Sequence, residues 1–309
     1  MPGHGFLDLP IRSGKPRRTG ITHVLDRGLP LAQATDLLEQ NGRYVDVWKF
    51  GWGIAYLDPQ LAAKLDLLAR HRVLASPGGT LLEIAWAQGR QREFLDWASD
   101  CGFPCVEVSA GTVPMDQAAK RDLIAAAAER FIVLAEVGSK HADVHLTPEQ
   151  WALAAAGDLE AGATWILAEG RASGTVGIYE RSGAVRQDVV EALAAAVGPD
   201  CVVFEAPRED QQAWFVRRFG PDVNLANVPP DCALGLETFR LSLRADTYGA
   251  WTPGPVMGPV MGPVMGTART SRSAPYSSAA GRPPCCRRPR WAPSCGPSTA
   301  SSAWRPEPR

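Results

Sequence analysis

Phe131-Ile132-Val133-Leu134-Ala135-Glu136-Val137-Gly138, residues 131–138, is an apolar run that meets a carboxylate and then a glycine. A segment this short, rich in branched side chains and bounded by glycine, reads as a strand buried on both faces. Its glutamate stands at the carboxyl end, just before the turn.

The same design recurs on both sides of it. Upstream are Ile21-Thr22-His23-Val24-Leu25-Asp26, Val45-Asp46-Val47-Trp48-Lys49, a weaker run over 72–76, and Cys105-Val106-Glu107-Val108-Ser109. Downstream are the runs 164–169, 201–205 and Val223-Asn224-Leu225-Ala226-Asn227. That makes eight strands, predicted at 21–26, 44–49, 72–76, 103–109, 131–136, 163–169, 201–205 and 223–227, with helix-length segments between them. Among the helices, Thr147-Pro148-Glu149-Gln150 has the capping-box pattern with proline at the first helical position. Glu83 is placed in or beside the loop after the third strand, ahead of a helix over 90–100. Eight strand–helix cycles in about 248 residues predict an α/β fold, a single (β/α)8 TIM-type barrel. A doubly wound open sheet is the competing architecture, and the cycle count favours closure. No Gly-x-Gly-x-x-Gly fingerprint follows an early strand, and no Walker loop is present.

The chain divides at about residue 248. Residues 1–248 have globular composition and form the expected barrel domain. Residues 249–309 hold 12 of the 26 prolines, eight arginines, one glutamate and no lysine. This low-complexity segment lacks periodicity and is expected to be a disordered tail. Without it, a chain of net charge −1 becomes a body with 24 basic and 32 acidic residues, a net charge of −8. An acidic body argues against nucleic acid or an anionic membrane as partner. No apolar run approaches 18 residues, and the first residues lack a signal core, so a cytoplasmic protein is expected. Apolar closing helices are compatible with a homo-oligomer.

In such a barrel the strand ends converge on one face. The acids placed there are Asp26, Glu83, Glu107, Glu136, Glu169 and Glu205. The bases are Lys49, Lys140 and Arg171. Hard cations take carboxylate oxygens, so Glu107, Glu136, Glu169 and Glu205 could supply one or two ligands and a general base. Lys49, Lys140 and Arg171 suit an anionic substrate. A lysine on a barrel strand could instead form a Schiff base. Pro77-Gly78-Gly79-Thr80 and Ala172-Ser173-Gly174-Thr175 can present backbone N–H groups to an oxyanion, or can serve as plain tight turns. Ser109 and Asn227 add neutral polar groups at the same level. Trp48 reads as core, and Trp52 as a roof over the pocket.

Taken together, these segments resemble the phosphosulfolactate synthase family over roughly 17–248. The resemblance rests on Thr22-His23-Val24-Leu25-Asp26-Arg27-Gly28, Asp46-Val47-Trp48-Lys49-Phe50-Gly51-Trp52-Gly53, Gly78-Gly79-Thr80-Leu81-Leu82-Glu83, Ala135-Glu136-Val137-Gly138-Ser139-Lys140, Glu169-Gly170-Arg171 and Asn224-Leu225-Ala226-Asn227. It implies a barrel lyase that adds sulfite to phosphoenolpyruvate with magnesium, giving 2-phospho-3-sulfolactate at the opening of coenzyme M biosynthesis. In that setting Lys49, Lys140, Glu136, Glu169 and Arg171 are the implied catalytic group. Glu107, Glu136 and Glu205 are the implied metal ligands, and Gly79, Thr80, Ser109, Ser173, Gly174 and Asn227 line the ligand. Ala172 departs from the family pattern, which usually has an acidic residue after the arginine. Plant and bacterial relatives linked to heat stress share the pattern, so a noncatalytic stress-associated barrel is the alternative, as is an enzyme for another enol-phosphate or sugar-phosphate.

Overall fold

A computed structural model describes residues 6–139 and 146–250. Lys140, the neighbouring histidines His141 and His145, and the tail from residue 251 lie outside the described residues.

Eight strands appear in the expected order: β1 (Thr22–Asp26), β2 (Val47–Phe50), β3 (Leu74–Ser76), β4 (Cys105–Val108), β5 (Ile132–Val137), β6 (Trp165–Ala168), β7 (Val202–Glu205) and β8 (Asn224–Val228). All paired strands are parallel, in the order β3-β2-β1-β8-β7-β6-β5-β4. The sheet is therefore a nearly closed (β/α)8 TIM-type barrel. Among the described residues no ladder joins β3 to β4. Side chains meet across that seam instead: Cys105 Sγ donates to the Ala75 carbonyl at 3.2 Å, and Ser76 Oγ donates to Glu107 Oε1 at 3.0 Å.

The period-2 alternation of a strand explains why the ends carry the chemistry. Outward residues such as Trp48, Phe50, Val106, Val108, Val133, Ala135, Ile166 and Phe204 pack in one large core shared with the helices. Inward residues form a second, smaller core of Ile21, Val47, Cys105, Ile132, Leu134, Trp165, Leu167, Val203 and Ala226. One step further along the same inward rows stand Lys49, Glu107, Glu136, Glu169 and Glu205, all buried. Five of the eight strands, β2, β4, β5, β6 and β7, thus carry an apolar plug below and a charged residue above it.

Among the described residues ten helices surround the sheet: α1 (Leu31–Asn41), α2 (Ile54–Leu57), α3 (Leu61–Arg70), α4 (Gly79–Ala87), α5 (Gln91–Cys101), α6 (Gln117–Ala128), α7 (Pro148–Glu160), α8 (Gln187–Val197), α9 (Glu209–Phe219) and α10 (Ala233–Arg240). The capping box at the start of α7 forms as its sequence predicts. Gln150 N–H donates to Thr147 Oγ1, and Thr147 N–H donates to Gln150 Oε1. One helix departs from the sequence reading. Gly79–Ala87 is helical, so Glu83 lies inside α4 rather than in a loop. It is fully buried, accepts N–H groups from Thr112 and Val113 at 2.5 and 3.0 Å, and bonds the Ser109 hydroxyl. Its carboxylate therefore shapes the β4–α6 loop.

Candidate active site

A cavity of about 510 Å³ opens at the carboxyl ends of the strands. Lys49 and three glutamates, Glu136, Glu169 and Glu205, line it. Gly78, Gly79 and Thr80 form one wall, Arg171, Ala172 and Ser173 another, and Asn227 closes the β8 side. Trp52, 58% exposed, stands at the rim, while Trp48 is packed in the core with its Nε1 donating to Asp26 Oδ2 at 3.1 Å. Asp26 also accepts the Gly28 and Leu29 N–H groups. It stabilises the β1 turn from behind.

Lys49 is the cation of the cavity floor. Its Nζ lies 2.8 Å from Glu107 Oε2 and 3.5 Å from Glu205 Oε1. Burial disfavours the ammonium, but Glu107, then Glu205 and Glu136, outweigh it and hold Lys49 well above its ordinary range. Glu107 shows the converse: burial raises it, and Lys49 with His23 brings it far below the usual carboxylate range. Two carboxylates within 2.8 and 3.5 Å of its Nζ favour the ammonium form of Lys49.

The remaining sites sort by what they touch. Glu205 Oε2 accepts two backbone N–H groups, from Gly170 at 2.8 Å and Arg171 at 2.9 Å. Glu169 Oε1 accepts the Arg171 N–H at 2.7 Å. Glu107, fully buried, lies below the lining, in contact with His23, Ser76 and Lys49. Ser109 packs behind Gly79, where a Cβ would collide with its hydroxyl. Ser173 bonds Thr175 at 2.9 Å, and the Gly174 carbonyl accepts Gln211 Nε2 at 2.8 Å. Thr112, which lines the cavity, and Gln211 and Tyr179, which brace the backbone behind its wall, are not legible in the sequence. Tyr179 donates to the Glu205 carbonyl at 2.6 Å, and no local motif marks any of the three.

Backbone strain gathers at the same place. Trp52, Arg171 and Asn227 have φ of 48°, 56° and 55° and all line the cavity. Left-handed backbone is uncommon outside glycine and concentrates at functional sites. Asn227 is also buried, and its Oδ1 has no hydrogen-bond partner among the described residues.

The wall at Gly79 is the N-terminus of α4, with no side chain capping it. Its free N–H groups and the helix dipole favour an anion there. Metal-holding capacity is modest. Among the described residues no group of three or more His, Cys, Asp or Glu is arranged to hold a metal ion. Magnesium commonly takes only one or two carboxylates, with water and substrate oxygens completing its shell. Glu136, Glu169, Glu205 and the Asn227 oxygen line the cavity and are hard donors of the right kind, while Glu107 lies below them, tied to His23, Ser76 and Lys49.

A (β/α)8 barrel whose mouth gathers a lysine, an open helix N-terminus and several carboxylates has the architecture of a barrel enzyme. The family model described as (2R)-phospho-3-sulfolactate synthase (ComA) matches residues 10–246, and the chain belongs to that family. It is 43% identical over 255 residues to phosphosulfolactate synthase of Methanothermobacter thermautotrophicus, covering 81% of this chain and 98% of the relative. Identity to the Bacillus subtilis phosphosulfolactate synthase is 39% over 245 residues, covering 78% and 97%. A more distant relative, Protein HEAT-STRESS-ASSOCIATED 32 of Arabidopsis thaliana, is 24% identical over 253 residues, covering 69% and 83%. Among the described residues, no helix is long and apolar enough to cross a membrane.

Proposed function

We propose that this chain is a lyase that joins sulfite to phosphoenolpyruvate with magnesium, forming 2-phospho-3-sulfolactate. The observation that carries this reading is the Lys49 ammonium in a cavity that the α4 N-terminus and Arg171 also line. Two anions must be brought together, and each needs positive partners that are already in place.

In this reading the phosphate sits at the Gly79–Thr80 N–H groups and the carboxylate between Lys49 and Arg171. The sulfite sulfur lone pair forms a bond to C3 of the enol phosphate. The C2–C3 π pair moves toward C2 and the carboxylate, where Lys49 stabilises the growing charge. A proton then reaches C2; Lys140, outside the described residues, is the proposed donor, with Glu136 and Glu169 ordering the proton path. The carbon skeleton and phosphate ester stay intact, so addition of sulfite and one proton balances the step. Bound magnesium would supply Lewis-acid stabilisation of the substrate oxygens, held by Glu136 and Glu169 with the Asn227 oxygen nearby.

The test is phosphoenolpyruvate consumption by the full chain, with and without sulfite and with and without magnesium. Loss of phosphoenolpyruvate that requires both supports the assignment. No turnover across metals and pH overturns it, and thermal protection of client proteins without ligand-dependent stabilisation would instead favour the noncatalytic alternative.

A further inference from the structure

Below the cavity, four strands contribute one side chain each to a buried polar hub. Glu107 of β4 is its centre. Its Oε2 faces Lys49 Nζ of β2 at 2.8 Å. Its Oε1 is met by His23 Nε2 of β1 at 3.1 Å and by Ser76 Oγ of β3 at 3.0 Å. His23, Ser76 and Glu107 are fully buried. An ionised carboxylate only accepts, so the imidazole N–H and the serine hydroxyl are both donors here. Ser76 Oγ in turn accepts the Gly78 N–H at 3.2 Å. One carboxylate therefore connects the floor cation to the turn that opens α4.

We propose that His23 and Ser76 are positioning residues that act through Glu107 to hold the Lys49 ammonium and the Gly78–Thr80 turn in one fixed arrangement. The proposal rests on the functional reading above for its kinetic consequence, and on geometry alone for its structural one. Lys49 has a flexible stem and two carboxylates within reach, Glu107 at 2.8 Å and Glu205 at 3.5 Å. What selects the nearer is the fixed direction of Glu107 Oε2. Two donors on Oε1 leave the carboxylate one orientation, and that orientation aims Oε2 at Lys49. A carboxylate buried without these donors would be strongly disfavoured. The Ser76 link carries the same constraint to the anion-binding wall. Lys49 and the α4 N-terminus would grip opposite ends of one substrate, so their separation matters more than either position alone.

The competing explanation is that the hub only closes the β3–β4 seam. Gln and Leu have similar volumes, but only Gln can donate to Glu107, so the pair separates bonding from filling. The experiment compares the full-length wild type with His23→Gln, His23→Leu and Ser76→Ala. One readout is steady-state kinetics with phosphoenolpyruvate, sulfite and magnesium. The other is the [13Cε]lysine NMR spectrum, tractable because the sequence has only five lysines; Lys49→Arg assigns the Lys49 signal.

His23→Leu and Ser76→Ala are expected to shift the Lys49 signal and lower kcat at least about tenfold, in line with the cost of small misplacements. His23→Gln is expected to keep the signal near its wild-type position and to keep kcat within about threefold of wild type. Equal kinetics and equal Lys49 signals for His23→Gln and His23→Leu would overturn the proposal. If His23→Leu does not fold, Ser76→Ala decides: an unmoved Lys49 signal overturns the proposal and a moved one supports it. If the wild type shows no turnover, the functional reading fails while the NMR comparison still decides the hub.

Discussion

The Glu205 carboxylate accepts the backbone N–H of Arg171 at 2.9 Å, across the gap between the end of β7 and the loop after β6. The same oxygen takes the Gly170 N–H, and the Glu205 carbonyl takes the Tyr179 hydroxyl. Arg171 is held in a left-handed conformation by these contacts and by Glu169. Glu205 thus builds the wall that carries the arginine.

Glu205→Ala should therefore act on the wall before it acts on chemistry. It strands the buried Gly170 N–H, worth about 1–3 kcal/mol when left unpaired, and leaves the Arg171 N–H to Glu169 alone. Hydrogen exchange should rise at residues 170–178, and KM for phosphoenolpyruvate should rise more than kcat falls. Unchanged exchange in that loop would contradict the assignment.

Removing the floor cation should do the reverse. Lys49→Ala, and Glu136→Gln beside it, are expected to lower kcat by about 100-fold or more, the scale of losing one preorganised electrostatic partner. Circular dichroism and thermal melting should show a folded barrel in both. Near-normal kinetics in both variants would remove these two residues from the mechanism.

Asn227 allows backbone and side chain to be separated. Its φ of 55° suits glycine, so Asn227→Gly should preserve stability while weakening magnesium-dependent turnover. Asn227→Val should cost about 1–2 kcal/mol from the left-handed backbone alone. Denaturant melts paired with magnesium titrations of the rate distinguish the two effects.

The Lys49–Glu107 pair predicts a pH signature. Glu107 is held below its ordinary 4.5, so its contribution is present above that value and is lost as pH falls toward its folded value. Lys49 is held above its ordinary 10.5, so its contribution is present below that value and is lost as pH rises toward its folded value. The difference in unfolding free energy between wild type and Lys49→Met/Glu107→Gln should be flat between about pH 5.5 and 9 and should change in acid below that window. A difference that drifts steadily across neutral pH would refute the coupling.

A chain truncated after Ala250 should keep its melting temperature and its turnover, because the family match ends at residue 246. A large loss of either would give the tail a role.

Much of this was legible because strands write themselves in period two. Val47-Trp48-Lys49 and Leu134-Ala135-Glu136 each show an inward apolar residue followed by an inward charge, and that spacing places both charges at the mouth. Helix α4 was not legible: Gly78-Gly79-Thr80 has the composition of a turn, and glycine gives no sign that it begins a helix. For that reason Glu83 looked like a loop acid. The partners of Glu107 were hidden for a different reason. His23, Ser76 and Glu107 lie far apart in the chain, and only the strand order brings β1, β3 and β4 around one carboxylate. Neither a motif nor a charge count reports which of several strand-end acids will be tied by N–H and O–H groups and which will face the ligand.

The seam between β3 and β4 has one more consequence. A sheet of eight strands in that order has two edges, and an open edge is a template on which another chain can add a strand and aggregate. Here the Cys105 thiol covers the Ala75 carbonyl and Ser76 reaches across to Glu107, so the two edges face each other rather than solvent. The bonds that shape the floor of the site also guard the folded chain against strand-to-strand association, and loosening them for the sake of a new activity would erode solubility as well as catalysis.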